Sequence, residues 1–122
     1  MKTEKRIIGD RGEDIACTLL RSKSYIILER NFSSKTGEID IIALDPKKRN
    51  IVFTEVKTRA GISYGYPFEA VDWKKRIRLI KTASYYLKIR HRSDLQPRFD
   101  IIEVINAGNG VYTRHLENVF EI

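Results

Sequence analysis

The stretches GEIDIIAL at residues 37–44 and IVFTEVKT at residues 51–58 predict two adjacent β-strands that carry charged residues. Side chains alternate between the two faces of a strand, so Glu38 and Asp40 share one face of the first strand, and Glu55 and Lys57 share one face of the second. Both segments are otherwise rich in Ile, Val and Phe, so these charges would be partly buried and would need an ion pair or a metal ion. The sequence therefore predicts that Asp40, Glu55 and Lys57 converge.

The predicted cluster suits phosphodiester hydrolysis. That reaction needs a nucleophilic water, neutralised charge on the phosphoryl oxygens and a stabilised leaving oxygen. Mg²⁺ supplies all three and prefers a few carboxylates with water and substrate phosphate, so Asp40 and Glu55 are sufficient first ligands, with Mn²⁺ as an alternative ion. The Val56 backbone carbonyl is a candidate further ligand. Lys57 could orient or help to deprotonate the attacking water, or neutralise charge in the transition state.

Length, cysteine content and hydropathy limit the class of protein. With 122 residues, the chain has the usual size of one domain, so we expect residues 1–122 to form a single domain. Cys17 is the only cysteine, which excludes an internal disulfide and fits a reducing cytoplasm. The longest apolar run, residues 41–44, is far too short to span a membrane, and the polar N-terminal segment lacks the apolar stretch of a secretion signal. We therefore expect a cytoplasmic protein without a membrane partner.

The basic charge is concentrated in one segment. The net charge is +7, and residues 74–98 contain nine basic residues against one acid, whereas the rest of the chain contains 14 basic and 15 acidic residues. Such a local excess is typical of a surface for a polyanion such as nucleic acid, although a solvated helix face gives the same pattern. Lys74, Lys75 and Arg78 begin the predicted helix of this segment and are candidates for contacts with phosphate.

Periodicity predicts the element order αβββαββ. A first helix is expected over residues 9–23 with Asp10 as its N-cap, and a longer helix over residues 68–90 with Ile77 on its apolar stripe. Strands are expected at residues 25–32, 38–44, 51–58, 98–105 and 111–116. The first three strands should form an antiparallel meander, and the turn NAGNG should join the last two. Trp73 is expected to pack in the core.

Taken in order, several motifs of this chain resemble those of a known family. They are GDRGEDIA, RNF, GEIDIIA, VFTEVKTR, GYPFEAV, KK, ASYYL and RFD, and they cover nearly the whole sequence. They are similar to the YraN-like family of small bacterial proteins, which is related to archaeal Holliday junction resolvases within the PD-(D/E)xK nuclease superfamily. The resemblance implies an α/β fold with a restriction-endonuclease-like αβββαβ core, in which two helices flank a mixed central sheet. It also implies a Mg²⁺-dependent endonuclease that acts on DNA, with branched DNA as one candidate substrate.

The family pattern assigns roles to individual residues. Asp40 matches the first strand acid, Glu55 the second, and Lys57 the lysine of the superfamily motif. Glu13 matches the helical glutamate that completes the metal site in resolvase-like members, although on sequence alone it is an N-terminal helix acid stabilised by the helix dipole. The chain has Ile39 where the superfamily name has proline, a position at which many members vary.

Further residues are candidates for supporting or binding roles. Glu38 shares the predicted face of the first strand acid and either supports the site or is a surface acid. Asp100 is expected to pair with Lys57 or with an arginine in a structural role. Tyr64 and Tyr66 lie in the loop after the site, where they either stack on unpaired bases or pack as half-buried side chains.

Three functions are compatible with the sequence. The first is a Mg²⁺-dependent endonuclease acting on DNA, which the resemblance favours over RNA. The second is a non-catalytic nucleic-acid-binding module that retains the nuclease fold, and the third is an adaptor in which the acids and the lysine form only an internal salt-bridge cluster. A junction resolvase must make two symmetric cuts, so that substrate would require a homodimer.

Overall fold

The structure is a computed structural model that describes residues 4–60 and 72–121, with side chains described from residue 11 onward. The described residues form two helices and five strands, with the bounds α1 Glu4–Ser22, β1 Ile26–Ser34, β2 Gly37–Asp45, β3 Asn50–Ala60, α2 Trp73–Ile89, β4 Gln96–Asn106 and β5 Val111–Leu116. The predicted order αβββαββ is confirmed. Neither helix has the length and apolar character that a membrane span requires.

The sheet is mixed, and its strands follow chain order. β1, β2 and β3 pair antiparallel, as predicted, whereas β4 pairs parallel to β3 and β5 pairs antiparallel to β4. A parallel neighbour requires a crossover connection, and α2 lies in the connection between β3 and β4. The architecture is the predicted restriction-endonuclease-like αβββαβ core, extended at one edge by β5.

The two helices pack on opposite faces of the sheet. α1 buries Ala16 and Leu20 against one face, because the central strands are apolar on both sides. α2 buries Ala83 and Tyr86 against the other face, on an aromatic cluster that consists of Phe32, Phe53, Phe99 and Phe120. Burial of each large apolar side chain contributes roughly 1.5–3 kcal/mol, so the sheet is anchored from both sides.

α1 approaches β3 closely at Gly12. A Cβ atom at this position would collide with Oγ1 of Thr58, so the close contact requires glycine. The contact brings the part of α1 that carries Glu13 beside the end of β3 that carries Lys57.

Three predictions about the helices are wrong. Asp10, predicted as an N-cap, lies within α1, which begins at Glu4. Trp73 is the first residue of α2 and is 73% exposed rather than packed in the core, and Ile77 is also exposed. The predicted helical residues 68–71 lie outside the described residues. The face of α2 that packs on the sheet consists of Leu79, Ile80, Ala83, Tyr86 and Leu87.

Candidate functional site

Asp40 lies where β2 and β3 separate. The ladder between these strands ends at the pair Ile41 and Thr54, so the next residues of β3 have no backbone partner on β2. The Asp40 carboxylate takes that place, since its Oδ2 accepts a hydrogen bond from the Val56 N–H at 2.7 Å. The N–H and carbonyl of one strand residue point to the same edge, so the Val56 carbonyl also faces this gap. Asp40 and Val56, both candidate metal ligands, therefore lie side by side.

Glu55 lies on β3 beside this gap, with 18% of its side chain exposed. Its Oε1 is paired with two ammonium groups, that of Lys57 at 3.1 Å and that of Lys75 on α2. Its Oε2 is buried and accepts no hydrogen bond from any residue that the structure describes. A buried carboxylate oxygen without a donor is costly, and a bound cation is one way to satisfy it.

Burial and the charge of Glu55 shift the pKa values of two of its neighbours, Asp40 and Lys57. Burial raises the pKa of Asp40, and the negative charge of Glu55 raises it further. The hydrogen bond from the Val56 N–H lowers the pKa but does not offset these two effects, so the pKa lies above its usual value. Burial lowers the pKa of Lys57, but the attraction of Glu55 outweighs burial and leaves the pKa above its usual value. A lysine that keeps its proton near neutral pH suits charge neutralisation better than proton abstraction.

A cleft of about 750 Å³ opens at Asp40 and Glu55, whereas Val56 and Lys57 are not among the residues that line it. The strand acids Glu38, Asp40 and Glu55 line it from the sheet, and Lys75 and Arg78 line it from α2. Its volume lies within the range of roughly 300–1,000 Å³ that is usual for ligand sites. The cleft therefore brings predicted metal ligands and predicted phosphate contacts into one cavity.

α2 directs positive charge toward this cleft. Asp72 caps the helix by accepting a hydrogen bond from the Lys75 N–H at 2.8 Å, and the Lys75 side chain reaches the cleft from the first turn. α2 contains six basic residues and no acid, and its dipole adds positive potential at the N-terminus. Lys75 and Arg78, which were predicted to contact phosphate, thus both line the cleft. Lys74 is exposed and is not among the residues that line the cleft.

Comparison with known proteins identifies the family. The sequence model of Uncharacterised protein family UPF0102 matches residues 12–104. The chain belongs to UPF0102. The UPF0102 protein of Caldanaerobacter subterraneus subsp. tengcongensis is 50% identical over 103 residues, which are 84% of this chain and 83% of that relative. The relative from Syntrophotalea carbinolica is 42% identical over 122 residues, 100% of this chain and 98% of its own length.

A third UPF0102 relative, from Persephonella marina, is 47% identical over 116 residues, which are 95% of each chain. UPF0102 is the YraN family, so the predicted family membership is confirmed. The names of these relatives assign no activity. The roles of the site residues consequently rest on the geometry of the cleft.

Other predicted site residues of this UPF0102 member lie at different distances from the cleft. Glu38 lines it with an exposed side chain. Glu13 is buried on α1, which packs on the sheet face opposite α2, and it is not among the residues that line the cleft. The helix contact at Gly12 nevertheless brings it near the end of β3, and its role as a metal ligand stays a prediction. Tyr64 and Tyr66 lie outside the described residues.

Asp100 belongs to a second acidic cluster, which Arg98 neutralises. Arg98 is 6% exposed, and it donates hydrogen bonds to both oxygens of Asp100 at 2.9 Å and to Asp45 Oδ2 at 2.9 Å. Strand alternation places Arg98 and Asp100 on the α1 face of the sheet with Ile102. Of the two predicted partners of Asp100, the arginine is the one observed. Asp100 is among the residues that line the cleft, but its carboxylate is paired with Arg98 and so supports the sheet.

The ligand atoms of Asp100, His115 and Glu117 lie within 4.8 Å of one another, a grouping that could hold a metal ion. Their charge is already balanced, however. His115 Nε2 lies 2.7 Å from Asp100 Oδ2, Tyr25 donates to Glu117 Oε1 at 2.9 Å, and Arg98 Nη2 lies 3.3 Å from the same oxygen. Burial raises the pKa of Asp100, but the hydrogen bonds from His115 and Arg98 lower it overall. We interpret this group, the Arg98 cluster, as structural.

A third charged cluster, beside Lys57, was not predicted. Glu103 on β4 is fully buried, and its carboxylate lies 2.8 Å from Arg59 Nε and accepts from Arg114 Nε at 2.6 Å. The parallel register sets Glu103 opposite Lys57. The signal in the sequence was an acid inside the apolar segment RFDIIEVI, because a buried carboxylate requires a cation.

Proposed function

We propose that this UPF0102 protein is a metal-dependent endonuclease that hydrolyses phosphodiester bonds of DNA. The observation that carries the proposal is the buried Glu55 Oε2, which has no donor among the described residues and lies beside the perturbed Asp40 carboxyl. Carboxyls whose pKa is shifted by burial and a neighbouring charge in a cleft are frequent at functional sites. The resemblance of the surrounding motifs to the PD-(D/E)xK nucleases supports the same assignment.

The donor set fits a hard divalent cation such as Mg²⁺ or Mn²⁺. Asp40 and Glu55 would hold the ion with the Val56 carbonyl, and Glu13 is a further candidate from α1. A cation there would satisfy Glu55 Oε2 and offset the repulsion that raises the pKa of Asp40. When bound, such an ion polarises a phosphoryl oxygen and makes water more acidic.

Side chains of the protein would position the reacting phosphate. Lys57 keeps its proton beside Glu55, where it can neutralise charge that develops on the phosphoryl oxygens. Lys75 and Arg78 enter the cleft from α2 and can contact flanking phosphates, Arg78 with a forked pair of donors. The Val56 N–H already fixes the Asp40 carboxylate, so this acid needs little reorganisation when substrate binds.

A second candidate function is a non-catalytic nucleic-acid-binding module, and the ion pairs of Glu55 favour it. Lys57 and Lys75 both contact one oxygen of Glu55, so the protein partly neutralises the acid pair with its own lysines. If both lysines stayed there when DNA bound, the cleft would bind phosphate without hydrolysing it. The two candidates differ in whether a divalent ion binds at Asp40 and Glu55.

Cleavage of defined DNA substrates tests the proposal. Four-way junction, flapped, single-stranded and duplex DNA are incubated with the protein in Mg²⁺ or Mn²⁺, and at least one should be cut. Asp40→Asn and Glu55→Gln should each lower the rate by about 100-fold or more, the usual size of a lost electrostatic contribution. Asp94→Asn is the matched control, because Asp94 is an exposed acid between α2 and β4.

The outcomes separate the candidate functions. Equal product from wild type and Asp40→Asn would indicate a contaminating nuclease. DNA binding without cleavage of any substrate would favour the binding module, and its affinity should fall steeply with salt. Absence of DNA binding even at low salt would contradict both candidate functions. The remaining function would then be the adaptor, in which the acids and the lysine form only an internal salt-bridge cluster.

A four-way junction would add a requirement, because two symmetric cuts need a two-fold dimer. If that substrate is cut, light scattering of the complex should show two copies of the chain per junction. Paired cuts by a monomer would contradict this part of the proposal.

A further inference from the structure

A second groove of about 520 Å³ lies beside the cleft, between the β1–β2 turn and α2. We call it the side groove. Four residues line both cavities: Ser33, Ser34, Lys35 and Thr36. Lys81 and Tyr85 of α2 complete the side groove. The two cavities therefore adjoin at the β1–β2 turn, and both lie along α2.

Hydrogen bonds hold the β1–β2 turn against α2. Ser34 Oγ lies 2.9 Å from Thr36 Oγ1, which in turn lies 2.7 Å from Thr82 Oγ1. Thr82 is fully buried and donates to the Arg78 carbonyl at 2.8 Å. This chain of hydroxyl groups fixes the spacing between the two walls, so the side groove is largely formed before any ligand binds.

Positive charge extends from the cleft into the side groove. Lys35 and Lys81 are exposed, and no acid is among the residues that line the side groove. On α2, Lys75, Arg78 and Lys81 follow at intervals of three residues, and Tyr85 follows four residues later. At 1.5 Å per residue these side chains cover about 15 Å of one broad helix face. The charge is complementary to a phosphate backbone that runs along α2.

Tyr85 gives the side groove an aromatic surface. Its ring centroid lies 6.3 Å from that of Phe32, which packs in the core, and Tyr85 remains 49% exposed. Phe32 thus supports the Tyr85 ring while leaving much of it accessible. A positively charged groove with an accessible aromatic ring is the combination that binds single-stranded nucleic acid, because phosphates meet the cations and a base stacks on the ring.

We propose that the side groove binds a single-stranded stretch of DNA that continues from the phosphodiester in the cleft. Arg78 and Lys81 contact its phosphates, Lys35 contacts it from the opposite wall, and one unpaired base stacks on Tyr85. In an intact duplex the bases are stacked on each other, and extruding one costs energy, so unpaired nucleotides are favoured. The inference rests on the proposed function and narrows the substrate class to DNA with a single-stranded flank.

Binding of fluorescently labelled DNA in EDTA tests this inference without requiring metal or cleavage. Wild type should bind a duplex with a single-stranded tail about tenfold more tightly than the blunt duplex, which is the effect expected for one base stacked on an aromatic ring. Tyr85→Ala should abolish this preference and keep its affinity for the blunt duplex. Tyr85→Phe should keep the preference, because the ring is retained.

Matched variants control for general changes. Tyr112 on β5 is 53% exposed and is not among the residues that line the side groove, so Tyr112→Ala should leave the preference unchanged. Lys81→Ala should weaken binding of the tailed duplex severalfold and reduce its salt dependence by about one phosphate contact. Lys47 is exposed in the turn between β2 and β3, so Lys47→Ala should change neither the affinity for the tailed duplex nor its salt dependence.

The inference would be overturned by a wild type without preference for the tail, or by a Tyr85→Ala variant with the wild-type preference. A loss in Tyr85→Phe as large as in Tyr85→Ala would also overturn it, since the ring would not be the contact. If DNA is never cleaved in Mg²⁺ but the preference depends on Tyr85, the side groove is supported and only the nuclease proposal fails.

Discussion

The Arg98 cluster and the Asp40–Glu55 pair are two groups of acids whose charge is balanced differently. In the Arg98 cluster, burial raises the pKa of Asp45, Asp100 and Glu117, but hydrogen bonds from neighbouring cations and hydroxyls lower it below the usual value. At Asp40, burial and the charge of Glu55 outweigh the single backbone hydrogen bond, so the pKa is raised. The protein therefore balances the acid charges of the Arg98 cluster, but it does not fully balance those of the Asp40–Glu55 pair.

The difference shows how a structural ion cluster can be distinguished from a candidate metal site. The two clusters share residue types, and the Arg98 cluster even has the denser grouping of potential ligands. The deciding observation is whether each buried carboxylate oxygen has a donor or a paired cation. Both oxygens of Asp100 have one, whereas Glu55 Oε2 has none among the described residues. A ligand is therefore expected at the Asp40–Glu55 pair.

Removal of the central cation should have the largest effect on stability. Arg98→Met leaves Asp45 and Asp100 buried without their counter-ion, so the free energy of unfolding should fall by about 3–5 kcal/mol. Urea denaturation followed by circular dichroism measures this change. Lys48→Met is the control, because the exposed Lys48 pair with Glu117 should contribute less than about 1 kcal/mol. Equal effects of the two substitutions would refute the structural role of Arg98.

The acid dependence of stability should come from the Arg98 cluster. A carboxyl whose pKa is lowered on folding stabilises the protein above its ordinary pKa, and this contribution is lost as pH falls through the lower folded value. Asp100→Asn should cost about 1.5–3 kcal/mol at pH 7, the value of hydrogen bonds to a charged group. The gap between the unfolding free energies of variant and wild type should narrow below about pH 4. A gap that is independent of pH would contradict this assignment.

Lys75 should compete with a divalent ion for Glu55. Lys75→Met removes one positive charge from Glu55 Oε1, so the affinity for Mn²⁺ should rise by at least about fivefold, equivalent to the roughly 1 kcal/mol between unit charges about 4 Å apart in water. Lys74→Met is a matched control on the same helical turn, since Lys74 is exposed and outside the cleft. An equal rise in Mn²⁺ affinity in Lys74→Met and Lys75→Met would mean that the lysines act only through the overall charge.

The smallest expected effect on stability is that of Asp40→Asn. Asparagine keeps an oxygen that can accept from the Val56 N–H, and it removes a carboxyl whose raised pKa makes its ionised form unfavourable in the fold. That cost appears as pH rises through the ordinary pKa of Asp40, so the variant should be as stable as wild type or up to about 1 kcal/mol more stable at pH 7, with no gain at pH 3. Loss of several kcal/mol would show that Asp40 is structural.

Sequence patterns predicted the parts of the fold that depend on local periodicity. The apolar alternation of β2 and β3 predicted two paired strands, and the position of Asp40 and Glu55 in them predicted that these acids would meet. The apolar periodicity of α2 predicted its buried residues less reliably, because Trp73 and Ile77 carry apolar side chains but are exposed to solvent. Only the packing of the whole helix on the sheet decides which apolar positions become core.

Contacts between distant segments could not be read from the sequence. Arg98 meets Asp45 across the sheet, and Glu103 is held by Arg59 and Arg114 from two different strands. The charge pattern indicated only that buried acids need cations. It could not say which of the chain's 23 basic residues would supply them, since that depends on strand register. The side groove was missed for the same reason, because Lys35 and Tyr85 are 50 positions apart.

Calorimetric titration of Mn²⁺ in the absence of DNA tests most directly whether the Asp40–Glu55 pair is a cation site. Wild type should bind one ion, and Asp40→Asn and Glu55→Gln should each weaken binding by at least about tenfold, which is 1.4 kcal/mol. Glu117→Gln, taken from the Arg98 cluster, should bind as wild type does. If wild type takes up no Mn²⁺, or if Asp40→Asn binds it equally well, the pair is not a metal site.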